Sequence, residues 1–163
     1  MAQARQHQNN SNEVDRGVAR RQRLMAACSV AKATEFDQAI NMFDGSQTAM
    51  DVRAPEVGMI MMRGRIGGDG PPFNVGEATV TRAVVRLETG EIGYSYLLGR
   101  SIERARMAAI LDAIGQSSPA RMSELEDAFV APVLQRIKAA RQAKQAEVAT
   151  TKVNFFTMVR GDD

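Results

Sequence analysis

The sequence predicts an α+β fold: a small antiparallel sheet of about four strands, including a central hairpin and a C-terminal strand, packed with helices. Three observations carry this. Residues 76–98 alternate in polarity on both sides of a glycine turn. The stretches 15–43 and 101–147 place apolar residues at helical spacing. Residues 153–160, Val-Asn-Phe-Phe-Thr-Met-Val-Arg, are apolar and β-favouring where chain ends are usually polar.

Residues 1–13 are rich in Gln, Asn and Ser without periodicity, so they read as a disordered tail ahead of a single domain at 14–163. Asp15 is placed to cap a first helix, with Val18, Arg21, Leu24, Met25 and Cys28 on one stripe. Thr34 reads as the N-cap of a second helix carrying Phe36, Ala39, Ile40 and Phe43, which Asp44-Gly45 stops. Residues 46–56, containing Pro55, read as a polar connection. The uncharged run 57–62 has strand length.

A loop rich in Gly and Pro follows, at 64–72. From 77 to 87, Thr79, Thr81, Ala83, Val85 and Leu87 share one face, while Ala78, Val80, Arg82, Val84 and Arg86 share the other. Gly90 is free to take positive φ in the turn. Residues 92–98 return with Tyr94 and Tyr96 on one face. Ser101 caps the next helix, whose stripe is Met107, Ile110, Leu111 and Ile114. Ser117-Ser118-Pro119 reads as a break. Ser123 with Glu126 forms a capping box for a helix carrying Leu125 and Phe129, and Pro132 bends it or starts another. Residues 138–147 are polar all round.

Composition narrows the function. The chain has 163 residues, 44% hydrophobic and 25% charged, which is enough for one ordinary core. A net charge of +2 is too mild to argue for nucleic acid or a membrane surface. A small RNA-binding protein using the basic helices stays an alternative, weakened by the scarcity of aromatics for stacking. No apolar run approaches transmembrane length and no signal-peptide pattern is present, so a cytoplasmic protein is expected. The lone Cys28 and lone His7 exclude an internal disulfide and make a zinc site or a nucleophile–histidine pair from this chain alone untenable. No catalytic residue and no metal ligand is assigned, and no GxxxxGK[ST] loop exists.

The residues left to carry chemistry are cations on backbone that approaches a ligand closely. Arg65, Gly67 and Gly68 lie in the glycine loop, Thr81 and Arg82 lie on the second strand, and Arg100 precedes a helix start. All six are candidates to position an anion.

Three pieces agree in order and spacing with a known family. They are Arg65 to Val85 (RxGGxGxxFxxGExTxTRAxV), Leu87 to Arg100 (LxxGxxGYSYxxGR) and Phe155 to Asp162 (FFTMVRGD), and the run 109–113 ending in Asp112-Ala113 is also similar. From about Arg21 onward the chain resembles the G subunit of the bacterial carbon–phosphorus lyase system (PhnG). The resemblance implies a cytoplasmic complex with the H, I and J subunits. With H, I and the L protein, that subunit supports replacement of adenine in MgATP by methylphosphonate. Under that reading the chain binds no cofactor alone, and MgATP and methylphosphonate are substrates of the complex. The apolar end, with Phe155, Phe156, Met158 and Arg160, becomes a partner-docking segment. A non-catalytic scaffold remains the alternative. The family often places an acid and a histidine where Ser101 and Arg104 stand here, which points to capping or interface roles at those positions.

Overall fold

The computed structural model describes residues 2–43, 49–67 and 69–150, with side chains beginning at Asp15. Helix α1 spans Ala2–Val30 and α2 spans Ala33–Met42. Three strands follow, β1 (Met50–Arg65), β2 (Pro72–Arg86) and β3 (Ile92–Leu98). Helices α3 (Ile102–Ser117), α4 (Pro119–Leu125) and α5 (Ala131–Thr150) complete the chain, with a π-helical turn at Glu126–Val130 between the last two. Among the described residues the sheet has three strands, antiparallel in the order β1-β2-β3. The fold is α+β as expected. The expected C-terminal strand lies outside the described residues, as do Phe155, Phe156, Met158 and Arg160.

One face of the β2–β3 hairpin packs on helices. Thr81, Ala83, Val85, Leu87, Ser95 and Leu97 are buried, while Arg82, Arg86, Tyr94 and Tyr96 point away and are exposed. This is the division the alternation dictates, except that Val80, on the face of Arg82, is buried as well. Helix α3 lies across the buried face and is itself enclosed: Ala105 and every residue from Ala108 to Gly115 are buried. Leu24, Ala27 and Cys28 of α1, Phe36 of α2, and Phe129, Val130 and Val133 near the π turn close the core around it. Phe36 and Phe129 meet with ring centroids 5.5 Å apart.

Several boundaries differ from expectation, each for a physical reason. Helix α1 begins well before Asp15, because Ala, Gln and Arg dominate residues 2–6 and no Gly or Pro interrupts residues 2–14. The cap of helix α2 lies two residues earlier than Thr34, at Lys32, whose N–H donates to the Glu35 carboxylate at 2.7 Å. Strand β1 starts at Met50 and passes through Pro55 on irregular register between Asp51 and Glu56. An edge strand tolerates a missing N–H at such a bulge. Ser118 is a cap rather than a break: its hydroxyl accepts from the Arg121 N–H at 3.2 Å, with Pro119 in the first turn of α4. Ser123 caps nothing and instead accepts from Arg20. Pro132 cannot donate to the carbonyl four residues back, and the helix widens just before it, with the Ala131 N–H reaching Glu126 O.

Beyond Val80, β2 has no β3 partner, because β3 ends opposite it at Leu98. The β1–β2 pair therefore continues alone as a long two-stranded arm. No residue of β1 is buried.

Candidate functional site

The arm separates the six sequence candidates. Arg65 pairs with Pro72 at the far end, whereas Arg82 pairs with Glu56 near the base. At about 3.3 Å per residue the two positions lie roughly 30 Å apart. Arg65 is exposed, and Gly67 sits at the tip with φ +67°. Gly68 lies outside the described residues.

At the base, Thr81, Arg82 and Arg100 are neighbours with different fates. The Thr81 hydroxyl is buried and donates to Gly99 O at 2.8 Å, while the Gly99 N–H donates to Thr79 O at 2.8 Å. These two bonds fix the tight turn that carries Arg100 into solvent, and Gly99 takes φ +101°, where a side chain is strained. Thr81 is thus a buried anchor. Arg82 lies on the opposite, open face, where its guanidinium is held by Glu56, itself shared with Arg53. The chain does not bring all six candidates around one small anion.

A different cluster escaped the sequence reading. Asp112 sits in the enclosed helix α3 at 1% exposure. Its carboxylate accepts from Arg21 Nε at 2.9 Å and Nη2 at 2.8 Å, from the Tyr94 N–H at 2.9 Å, and from Gln116 Nε2 at 3.0 Å. The side-chain bond to Asp112 pushes the Arg21 pKa still higher. Gln116 also donates to Ile92 O at 2.9 Å. Together these groups cap the outer edge of β3, which would otherwise present unpaired backbone. The available signals were one carboxylate inside an alanine-rich apolar helix and one arginine on the apolar stripe of α1. Their pairing is tertiary and invisible in spacing.

Beside this cluster a cleft of about 680 Å³ separates α1 from β2 and β3, lined by Val18, Arg21, Met25, Arg82, Tyr94 and Tyr96 among others. Its walls are mainly apolar, with two half-exposed phenol rings and two guanidinium groups, each already paired. That arrangement can hold or position a group, but it offers no activated nucleophile. Cys28 is fully buried and desolvation pushes its thiol far above the ordinary range, so it does not ionise near neutral pH. Among the described residues no three His, Cys, Asp or Glu side chains are grouped to hold a metal ion, and no helix is long and apolar enough to cross a membrane.

Ser101 and Arg104, the two departures from the family pattern, are accounted for structurally. Ser101 accepts from the Arg104 N–H at 3.4 Å as the cap of α3. The Arg104 guanidinium donates to Cys28 O and Ser29 O, both at 3.3 Å, and lies 6.0 Å from the Phe36 ring centre. It satisfies carbonyls left open at the end of α1 and complements the negative end of that helix.

Comparison with known proteins places this geometry in context. The family described as phosphonate metabolism protein PhnG matches residues 19–161. The chain is also 48% identical, over 149 residues, to the alpha-D-ribose 1-methylphosphonate 5-triphosphate synthase subunit PhnG of Rhizobium meliloti (strain 1021), covering 91% of this chain and 94% of the relative. The family match takes in all three strands, helices α2 to α5 and the C-terminal part of α1 from residue 19, and on that evidence the chain belongs to the PhnG family.

Proposed function

We propose that this chain is a subunit of an alpha-D-ribose 1-methylphosphonate 5-triphosphate synthase, acting as a structural and ligand-positioning component in the cytoplasm. The observation that carries the reading is the 48% identity to a subunit of that name across 91% of the chain. In the reaction, a methylphosphonate oxygen attacks the anomeric carbon of MgATP as adenine leaves, through an oxocarbenium-like transition state. The H and I subunits and the L protein share this step, and the J subunit belongs to the same core complex.

The division of labour fits the chain's chemistry. A triphosphate and a phosphonate must be held in register, a task for guanidinium groups and backbone amides. Arg82 and Arg100 at the base of the arm, and Arg65 with Gly67 at its tip, are too far apart to serve one anion. They act as walls of surfaces that other subunits complete. Thr81 contributes by fixing the turn that carries Arg100. The segment with Phe155, Phe156, Met158 and Arg160 docks a partner. The scaffold reading draws on the pairing of Arg82 with Glu56, which leaves that guanidinium partly engaged before any ligand arrives.

One reconstitution separates the two readings. With Arg82→Ala in the assembled synthase, adenine release should fall about 10- to 100-fold, the scale of one charged hydrogen bond of about 1.5–3 kcal/mol. Unchanged release with normal assembly would leave only the scaffold role. In the same experiment a chain ended at residue 150 should lose co-purification with its partners, and full retention would remove the docking role of the tail.

A further inference from the structure

The least explained part of the molecule is the arm formed by residues 59–65 and 72–79. Elsewhere the sheet is protected. The outer edge of β3 is capped by Asp112 and Gln116, and the start of β1 is tied to α3 by Arg106, which donates to Asp51 Oδ1 at 2.8 Å and to Ala49 O at 2.7 Å. The arm has none of these devices among the described residues. The β1 edge that leads into it and runs along it reads Val57-Gly58-Met59-Ile60-Met61-Met62, six residues without a charge or a proline. That is the kind of exposed edge that soluble proteins normally interrupt. A two-stranded ribbon is also marginal in water when nothing covers it.

Both faces of the arm are apolar and open. Met59 and Met61 lie on one side, opposite Thr79 and Glu77, at 69% and 52% exposure. Ile60 and Met62 lie on the other, and Phe73 and Val75 extend the exposed surface toward the tip. Methionine side chains adapt their shape to a partner surface at low cost. The tip is positive: Arg63 and Arg65 make no ion pair among the described residues and lie at the end of β1, just before the glycine turn.

We propose that the arm is an insert that enters a groove of a different subunit of the synthase. The groove is apolar along its walls, with carboxylates placed to meet Arg63 and Arg65. The inference rests on the reading of this chain as a synthase subunit. Charge complementarity specifies the acidic end of the groove. Two-sided exposure argues against a second copy of this chain as the occupant. Pairing two β1 edges would join the strands yet leave Met59, Met61, Phe73 and Val75 in water on both faces. A groove covers both faces and the edge together.

The test uses the full chain in the reconstituted complex, with a photo-crosslinking residue replacing Met61 and amide hydrogen exchange read along residues 56–79. The expected result is crosslinking to another subunit within an apolar segment bearing Asp or Glu, and exchange in the arm slowed at least tenfold on assembly. Met59→Glu combined with Met61→Glu, and separately Arg63→Glu combined with Arg65→Glu, should each weaken assembly at least tenfold. Both double variants should keep the helix content and melting temperature of the isolated chain, because none of the four residues is buried. Crosslinking to a second copy, or to residues 151–163 of the same chain, overturns the proposal. So does an arm that exchanges equally fast in the free and assembled protein. A chain that never joins the other subunits fails the proposed function as well, whereas one that joins with its arm unprotected fails this inference alone.

Discussion

Replacing Gly93 with alanine should cost at least about 3 kcal/mol and leave little soluble protein, the upper range for forcing an atom into a packed core. A Cβ built at this position lies 1.9 Å from Ala109 O and 2.6 Å from Ala113 N. Both are backbone atoms of the buried helix α3, so no side chain can swing aside. The helix must move off the sheet or β3 must bend. Ala109 and Ala113 are small for the same reason: with Gly93 they let the helix axis approach β3 closely enough for Asp112 to reach the Tyr94 N–H. Chemical denaturation of the wild type and of Gly93→Ala checks this. A loss below about 1 kcal/mol would mean that the contact between α3 and β3 is looser than the structure has it.

Asp112→Asn should be nearly as damaging as Asp112→Ala, each costing about 3 kcal/mol, the lower end for breaking a buried pair because Arg21 keeps partial access to water. The carboxylate accepts from Arg21, the Tyr94 N–H and Gln116 at once. An asparagine keeps one acceptor oxygen but turns an amide donor toward other donors, so the edge of β3 loses part of its cap. For a chain of this length the melting temperature should fall by about 6–12 °C. Arg21→Ala combined with Asp112→Ala should cost less than the sum of the two single changes, because the charge left without a partner disappears with the second substitution. Additive losses would show that the two side chains do not act as a unit.

The hairpin of β2 and β3 was readable because its information is local. Alternation from Thr79 to Leu87 assigned the faces, Gly90 marked the turn and takes φ +104°, and β3 occupies the expected residues 92–98. The caps were less readable. Ser118 looked like a break because Ser-Ser-Pro serves both as a loop and as a helix start. Pro55 looked like a loop residue because nothing local shows that β1 is an edge strand able to bulge around it. The stretch rich in Gly and Pro was legible as a loop, and β1 ends at Arg65 and β2 begins at Pro72 on either side of it. What spacing could not show is that the turn stands at the end of an arm, about 30 Å from Arg82. The role of Asp112 was hidden for the same reason, since its partners stand 91 and 18 residues away in the chain.

The family assignment rests on sequence, and the chain's part in the reaction rests on what it completes in an assembly. The most direct measurement is adenine release from MgATP and methylphosphonate by the reconstituted synthase, with this chain present and omitted. The account predicts that release requires the chain and returns when the purified chain is added back. Equal adenine release without it, from an otherwise complete assembly, would contradict the claim that this subunit serves the reaction.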